Sequence, residues 1–389
     1  RLEIFNMIPY GKQDITQSDI DAVIEVLKSD FLTQGPVVPE FEAVIARYCG
    51  AGHAVATNSA TSSLHIACLA LGLSQGDWLW TSPITFVASS NCALYCGANI
   101  DFVDIDPETY NLSAELLEKK LIEAKKTGRL PKIVIPVHLC GQSCEMEKIY
   151  NLSLQYGFKI IEDASHAIGG KYQGKIIGSC QFSDITVFSF HPVKIITTGE
   201  GGMAMTNNQQ LADQMFLLRS HGITRNTDHM TQIPDGPWYY QQVELGFNYR
   251  MTDIQAALGI SQMNRLDEYL DKRHELAEKY NNIFVDTPVK SQCQRPDCYS
   301  AYHLFVIRLQ DSASISHKTL FKSLRTEGIG VNLHYIPVHT HPYYRSMGFN
   351  FGDFPNAEKY YNEAISIPLY PLLTDVEQEY IGNVILGLL

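Results

Sequence analysis

The sequence lacks the features that mark an extracellular or membrane-spanning protein. It has nine cysteines among 389 residues, and no two of them form a Cys-x-x-Cys pair. Scattered thiols are typical of a reducing compartment, so we expect free cysteines and a cytoplasmic protein. The longest apolar run, "LHIACLALGL" at 64–73, has about ten residues, whereas a membrane-spanning helix needs about 20. No signal sequence is evident, and Met7 is expected to be the natural first residue.

Positive charge is also scarce. The chain has 30 Lys and Arg against 42 Asp and Glu, a formal net charge of −12. This balance disfavours nucleic acid and anionic membrane surfaces as partners, and with them a DNA-binding regulator. The G-x-G-x-x-G order of dinucleotide sites is missing too, because "GEGGMA" at 199–204 precedes a strand candidate rather than following one. A dinucleotide-dependent dehydrogenase is therefore disfavoured.

Short β-type runs alternate with helical segments through the first two thirds of the chain. The strand candidates lie at 53–57, 78–81, 100–105, 132–137, 159–163, 184–190 and 202–206. Helical patterns lie between them at 61–73, 86–95, 113–126, 145–156 and 207–219. This alternation predicts an α/β fold with a mostly parallel seven-stranded sheet, which holds ligands at the carboxyl ends of its strands.

The pattern changes near residue 250. A long helical stretch at 252–284 carries apolar side chains near helical spacing. We expect it to leave the sheet domain and enter a smaller C-terminal α+β domain. The predicted division is a large domain at 7–250, which includes an N-terminal arm, and a linking helix with the small domain at 251–389.

A lysine in an apolar setting is the first candidate for chemistry. The stretch "FSFHPVKIITTGEGG" at 188–202 places Lys194 between Val193 and Ile195. A buried ammonium is costly unless it is paired or its pKa falls. From the residues alone, three explanations stay open: a partly exposed loop lysine, a structural ion pair, or a reactive amine that forms a Schiff base.

Three other motifs help to decide among these explanations of Lys194. "KIIEDASHA" ends a buried strand in Asp163, which is either a ligand-binding carboxylate or a turn residue. "TNSATSSLHIACLALGL" opens a helix after a strand, and its N-terminus either binds phosphate or is simply capped. "TSPITFVAS" places Phe86 where it either stacks on a planar ring or packs in the core. Together with Lys194, these residues describe a pyridoxal 5'-phosphate site, in which the lysine holds the cofactor and the aspartate keeps its pyridine nitrogen protonated.

These motifs resemble those of the DegT/StrS-type sugar-nucleotide aminotransferases, pyridoxal phosphate enzymes with the aspartate aminotransferase fold (fold type I). The likeness covers the chain after Met7, and "RSHGI", "LGFNYRMTDIQAALG" and "VNLHYIPVH" resemble the subgroup that acts in pseudaminic acid biosynthesis. The resemblance implies transfer of an amino group from L-glutamate to C4 of a UDP-linked 4-keto-6-deoxy-N-acetyl hexose by a homodimer with shared active sites. Another nucleotide sugar, dTDP- or GDP-linked, stays open. So does a sugar dehydratase that uses the same cofactor, although such dehydratases replace the lysine with histidine.

The resemblance also implies roles for individual residues. Lys194 is the catalytic lysine, Asp163 pairs with the pyridine nitrogen, His166 contacts the ring hydroxyl, and Phe86 stacks on the ring. The residues expected at the cofactor phosphate are Ala60, Thr61, Ser189 and, from the neighbouring subunit, Asn248. The residues expected at the sugar nucleotide are Tyr10, Asp30, Phe31, Leu32, Thr33, Ala60, Ser189, Asn248, Asn332, Leu333, His334 and Tyr335.

Two further groups of residues each leave two interpretations open. Arg219, Arg225 and Arg250 are the nearest cations for a diphosphate, or else ordinary surface arginines. His339 and His341 in "HTHPYY" have a spacing that a metal site could use, but no third ligand is evident. We therefore expect a surface or sugar-facing loop there, and no metal.

Overall fold

The computed structural model describes residues 7–389, and residues 1–6 lie outside the described part. Its α-helices are α1 Gln17–Lys28, α2 Val37–Cys49, α3 Ala60–Ala70, α4 Ala88–Tyr95, α5 Ala114–Thr127, α6 Met146–Tyr156, α7 Gln209–Arg219, α8 Asp253–Met263, α9 Leu266–Ile283, α10 His317–Thr326, α11 Pro342–Arg345, α12 Pro355–Glu363 and α13 Asp375–Leu388. Its strands are β1 His53–Thr57, β2 Trp78–Thr81, β3 Asn99–Phe102, β4 Ile133–Ile135, β5 Lys159–Asp163, β6 Lys171–Tyr172, β7 Lys175–Ile176, β8 Ile185–Ser189, β9 Gly202–Thr206, β10 Ile223–Thr224, β11 Gln241–Gln242, β12 Val289–Ser291, β13 Cys298–Tyr299, β14 Phe305–Leu309 and β15 Ala364–Ile367.

A seven-stranded sheet forms the centre of the molecule, with the strand order β1-β9-β8-β5-β4-β2-β3. Strand β9 runs antiparallel to both of its neighbours, and every other pairing between adjacent strands is parallel. Strands β4, β8 and β9 are buried along their whole length, as expected for a sheet covered on both faces. The predicted α/β fold with a mostly parallel seven-stranded sheet is confirmed.

The carboxyl ends of three strands meet at one edge of this sheet. Strand β1 ends at Thr57, β5 at Asp163 and β8 at Ser189. Because β9 is antiparallel to both β1 and β8, the first strand runs in the same direction as β8 and β5. The segments after these strands therefore emerge on the same side, which is where a parallel sheet holds ligands.

A second, smaller sheet lies in the C-terminal part of the chain. Strands β12, β14 and β15 pair antiparallel in that order. They share an apolar core with α9, α10 and α13, through side chains such as Leu276, Leu320 and Ile381. Ile8 from the N-terminal arm packs in the same core and pairs with Ile329. The smaller α+β domain is thus confirmed, while its boundary at residue 250 stays a prediction.

The predicted helical stretch at 252–284 is divided into two helices. The break falls between α8 and α9, where Arg265 leaves the helical conformation at φ −115° and ψ 6°. Its guanidinium lies 2.7 Å from Asp19 Oδ2 on α1 and its Nε bonds the Tyr269 hydroxyl. A long-range ion pair to the N-terminal helix thus accompanies the break, and the local sequence pattern does not reveal it.

Candidate active site

Lys194 lies in the turn that follows β8. Its backbone N–H donates to the carbonyl of His191 at 2.9 Å, while Ile195 and Ile196 are buried beside it. The side chain is half-buried, and no hydrogen bond or ion pair with another residue of 7–389 engages its Nζ. Burial lowers the pKa of Lys194 to about 8, although the Asp163 carboxylate pulls it upward. A structural ion pair does not fit these facts, and a reactive amine does.

Asp163 is the last residue of β5 and is buried. Ser89 Oγ donates to its Oδ2 at 2.5 Å, and Ser165 donates to Oδ1 from both its hydroxyl and its backbone N–H, at 2.6 and 3.1 Å. Its negative charge acts on Lys194, so the two side chains share one cluster at the sheet edge. The predicted juxtaposition of these two residues is present in the structure.

His166 follows three residues after Asp163 and is also buried. Its Nδ1 accepts a hydrogen bond from the backbone N–H of Cys140 at 3.3 Å, so in the neutral ring the proton sits on Nε2. That nitrogen lies 3.0 Å from the hydroxyl oxygen of Tyr335. Burial, followed by the charge of Lys194, holds the pKa of His166 well below its usual range. His166 is therefore a neutral donor at physiological pH.

The residues at 332–335 and Tyr10 close one side of this cluster. The Tyr10 and His334 rings lie 5.3 Å apart, and His334 Nδ1 lies 2.8 Å from the Ser366 hydroxyl. Burial and the Lys194 charge lower the pKa of His334 to about 3. The Asn332 side chain lies beside His334, with its Nδ2 3.5 Å from the Nε2 of that ring. The structure thus brings Tyr10 and the 332–335 segment to the same cleft as Lys194.

Phe86 lies beside Tyr335 with 60% of its surface exposed. Its ring centroid lies 6.2 Å from that of Tyr335 at an interplanar angle of 54°. An exposed aromatic ring next to buried polar groups is unsuited to core packing. It is placed to contact a planar ligand.

The start of α3 offers a place for an anion at the same edge. Ser59 caps the helix through a bond from the Ser62 N–H at 3.2 Å. The N–H groups of Ala60 and Thr61 belong to the first turn and have no acceptor among residues 7–389. A Cβ on Gly202 would lie 2.5 Å from the Ala60 nitrogen, so the helix start packs directly on β9. Ser189 pairs with Gly202 across the sheet and is therefore close to this turn.

Of the remaining predicted residues, Asn248 lies next to the start of α3, whereas the loop of residues 30–33 lies at the start of α8. Asn248 is exposed, and its backbone carbonyl accepts from Asn58 at 3.4 Å. The loop of Asp30, Phe31, Leu32 and Thr33 is exposed and bound to the start of α8, where Asp253 N–H donates to the Leu32 carbonyl at 3.0 Å. Within residues 7–389, no hydrogen bond, ion pair or ring contact joins this loop to Lys194, Asp163 or His166.

The three candidate arginines have different surroundings. Arg219 is bound to the Glu42 carboxylate and to the Ala56 carbonyl, so its proposed role as a free cation for a diphosphate is wrong. Arg225 is exposed and lies over the Tyr240 ring, 5.9 Å from its centroid. Arg250 makes no hydrogen bond or ion pair with another described residue, which leaves its guanidinium available.

The two histidines of "HTHPYY" have different surroundings, and His341 directly precedes α11. His339 is buried and its Nε2 lies 3.0 Å from the Glu358 carboxylate, which also accepts from the Gly352 N–H. No group of three or more His, Cys, Asp or Glu that could hold a metal ion occurs between residues 7 and 389. His339 therefore joins its loop to α12.

Sequence reasoning did not identify three residues that complete the cluster. Ser89 and Ser165 donate hydrogen bonds to the Asp163 carboxylate. Both lie in motifs from which only other residues, such as Phe86 and Asp163, were predicted to bind the cofactor. His303 is buried with its ring centroid 4.4 Å from that of His166, and its Nδ1 has no partner within the described chain. Burial holds the pKa of His303 well below its usual value. No local pattern marks His303, because its neighbours come from distant parts of the sequence.

The side chains at this edge fit pyridoxal phosphate. An amine with a lowered pKa suits a Schiff base, a buried carboxylate with a free lone pair suits a protonated pyridine nitrogen, and free N–H groups suit a phosphate. An exposed aromatic ring stands beside them. The fold and this set of residues define a pyridoxal phosphate-dependent aminotransferase of fold type I.

Comparison with known proteins gives the family. The chain belongs to the DegT/DnrJ/EryC1/StrS aminotransferase family, which matches residues 13–386. UDP-4-amino-4,6-dideoxy-N-acetyl-beta-L-altrosamine transaminase of Campylobacter jejuni is 38% identical over 386 residues, 98% of each chain. Spore coat polysaccharide biosynthesis protein SpsC of Bacillus subtilis is 38% identical over 374 residues, 95% of this chain and 94% of its own. The predicted family, enzyme class and cofactor are confirmed.

A solved structure agrees with this assignment. Helicobacter pylori PseC, an aminotransferase involved in the biosynthesis of pseudoaminic acid, matches with a TM-score of 0.89 and 31% sequence identity. The match covers 98% of this chain and 99% of that one. The match therefore spans the seven-stranded sheet and the sheet of β12, β14 and β15.

Proposed function

We propose that this aminotransferase moves the amino group of L-glutamate to C4 of a UDP-linked 4-keto-6-deoxy-N-acetyl hexose, in the biosynthesis of pseudaminic acid. The observation that carries the proposal is Lys194, an amine with a pKa near 8 in the same cluster as Asp163 and His166. The relatives from Campylobacter jejuni and Helicobacter pylori support the choice of sugar pathway. All nine cysteines are free, which supports a cytoplasmic location for the enzyme.

Bound pyridoxal phosphate supplies an electron sink that stabilises negative charge on the carbon bonded to the amino nitrogen. Lys194 would hold this cofactor between turnovers. With a pKa near 8, its released amine would accept a proton from the α-carbon of the amino donor and return it to the reactive carbon of the cofactor. Asp163 would keep the pyridine nitrogen protonated, and neutral His166 would donate to the ring oxygen directly or through Tyr335.

The cofactor phosphate would bind the free N–H groups of Ala60 and Thr61, with Ser189 adjacent. These donors lie at the positive end of the α3 dipole, which favours an anion. For the sugar nucleotide, Tyr10 and the 332–335 segment line one wall of the cleft. Among the three arginines, Arg250 is the best candidate for the diphosphate, because its guanidinium has no partner in the described chain.

We further propose that two copies of the chain share their active sites. Asn248 and the loop of residues 30–33 are exposed and make no hydrogen bond, ion pair or ring contact with Lys194, Asp163 or His166 within the described chain; Phe31 and Leu32 are 53% and 47% exposed. Apolar side chains with this exposure are suited to a contact with another subunit. A second copy would bring Asn248 to the phosphate and the loop to the sugar.

A substrate panel tests the reaction. UDP- and dTDP-linked 4-keto-6-deoxy sugars are offered with L-glutamate, and 2-oxoglutarate is measured together with the configuration at C4 by NMR. The proposal requires one 2-oxoglutarate per amino sugar formed from the UDP substrate, and loss of turnover in Lys194→Ala. Reaction with dTDP sugars only would reject the UDP assignment and leave the aminotransferase assignment standing.

Mixed dimers test the shared site. Copies carrying Lys194→Ala are co-expressed with copies carrying Asn248→Ala, and the heterodimer is isolated by two different tags. If Asn248 serves the other subunit, one site of the heterodimer carries both changes and the other site carries none, so about half of the activity returns. If Asn248 serves its own subunit, each site carries one change and activity stays at the level of the single variants.

A further inference from the structure

The Asp163 carboxylate is held by a directed chain of hydroxyl groups. Ser89 Oγ lies 2.5 Å from Asp163 Oδ2 and 2.8 Å from Thr85 Oγ1. An ionised carboxylate can only accept hydrogen bonds, so Ser89 donates its single hydroxyl hydrogen to Asp163. Thr85 must then donate to Ser89, and the chain runs from Thr85 through Ser89 to Asp163. All three residues are buried, with exposures of 2%, 0% and 5%.

The other oxygen of Asp163 accepts hydrogen bonds from a residue in a different segment. Ser165 donates to Oδ1 through its hydroxyl at 2.6 Å and its N–H at 3.1 Å. Because a carboxylate has about four lone-pair positions, Oδ1 is filled and Oδ2 keeps one open position. Thr85 and Ser89 come from the segment around the start of α4, whereas Ser165 follows β5. The carboxylate is thus fixed from two sides, with one free position.

We propose that Ser89, supported by Thr85, is a positioning residue that keeps the shared proton on the pyridine nitrogen of the cofactor. The proposal rests on the assignment of Asp163 to that nitrogen. A hydroxyl that donates to a carboxylate stabilises the ionised form and makes the carboxylate a weaker base. Loss of the Ser89 hydroxyl therefore makes Asp163 a stronger base, and the proton moves from the nitrogen toward Oδ2.

The test is ¹⁵N NMR of the full-length holoenzyme loaded with pyridoxal phosphate labelled at the pyridine nitrogen, because this signal reports protonation directly. Ser89→Ala should move the signal toward that of unprotonated pyridine and lower kcat about tenfold, with KM for the sugar little changed. Thr85→Val preserves the side-chain shape and acts on Asp163 only through Ser89, so it should move the signal less, in the same direction. Ser90→Ala is the matched control, since the Ser90 hydroxyl bonds Tyr344 instead.

The outcomes separate this inference from the assignment on which it rests. An unchanged nitrogen signal in both Ser89→Ala and Thr85→Val overturns the inference, and Thr85→Val alone decides if Ser89→Ala does not fold. Asp163→Asn tests the assignment itself. If the Asp163→Asn signal also stays at the wild-type position, Asp163 does not hold the nitrogen. If it moves while the two hydroxyl variants do not, the assignment stands and only the role of the hydroxyl chain is rejected.

Discussion

His166 Nε2 lies 3.0 Å from the hydroxyl oxygen of Tyr335, a residue 169 positions further along the chain. The bond has one direction, because Nδ1 of the same ring already accepts from the Cys140 N–H and Nε2 must therefore donate. The Tyr335 hydroxyl keeps its own hydrogen for another acceptor. This bond joins the segment after β5 to the segment that leads toward α11.

Tyr335→Phe should destabilise the protein because it leaves the buried Nε2–H of His166 without an acceptor. An unsatisfied buried donor costs about 1–3 kcal/mol, and the free energy of unfolding of the apoenzyme should fall by that amount. Urea unfolding gives the value. Tyr343→Phe serves as the control, since that ring is 60% exposed and its hydroxyl makes no hydrogen bond within the described chain. Equal stability of the two variants contradicts the prediction.

The pH dependence of cofactor attachment should report the pKa of Lys194. Only the neutral amine attacks an aldehyde, and the Lys194 pKa of about 8 lies well below that of a free lysine. The attachment rate of pyridoxal phosphate to the apoenzyme should therefore rise with pH and level off above about 8. Stopped-flow absorbance at pH values on both sides of 8 gives the midpoint.

The midpoint should shift in a defined direction when Asp163 loses its charge. The carboxylate raises the pKa of Lys194, so Asp163→Asn should move the midpoint to lower pH. Asp184→Asn is a suitable control, because Asp184 bonds Lys159 and the Ile160 N–H near the beginning of β5, away from Lys194. If the midpoint of the wild-type enzyme lies near the pKa of free lysine, burial does not lower the pKa of Lys194 and the prediction is wrong.

Arg219→Ala should lower stability without changing substrate binding. The Glu42 carboxylate is buried, and removal of one partner of a buried ion pair costs about 3–5 kcal/mol. Urea unfolding should show this loss, while KM for the sugar nucleotide stays at the wild-type value. Arg225→Ala provides the comparison, since that side chain is exposed. A raised KM in Arg219→Ala with normal stability would restore Arg219 as a substrate residue.

The sequence was sufficient to predict the parts that depend on local pattern. The short β-type runs at 159–163 and 184–190 place the carboxyl ends of two strands within a residue of Asp163 and Ser189. Lys194 was recognisable because an ammonium is out of place between apolar neighbours. The parallel order then required these side chains to meet at one edge, as they do.

Contacts between distant residues could not be predicted in this way. Arg219 and Glu42 are 177 residues apart, and nothing near either one indicates the other. The same holds for the bond between Arg265 and Asp19, which accompanies the break in the linking helix. Ser89 is a similar case, because its role depends on an aspartate 74 residues away. Pairing of this kind is set by the packing of whole elements rather than by a periodic pattern.

Gly202→Ala should weaken binding of the cofactor phosphate specifically. The added Cβ would lie 2.5 Å from the Ala60 nitrogen and from the Ser59 carbonyl, and such backbone contacts cannot be relieved by a side-chain rotation. The start of α3 must move away from β9, which displaces the free N–H groups of Ala60 and Thr61. Affinity for pyridoxal phosphate should fall at least about tenfold, the loss expected for a charge-assisted hydrogen bond.

The comparison with pyridoxal, which has no phosphate, isolates this effect from a general loss of structure. The wild type should bind pyridoxal phosphate far more tightly than pyridoxal, and Gly202→Ala should remove most of that preference while pyridoxal binding changes little. Gly387→Ala is the matched control, because a Cβ at that position meets no atom within 4 Å. An undiminished preference in Gly202→Ala would mean that the phosphate is held elsewhere, since the helix start cannot keep its position beside an alanine.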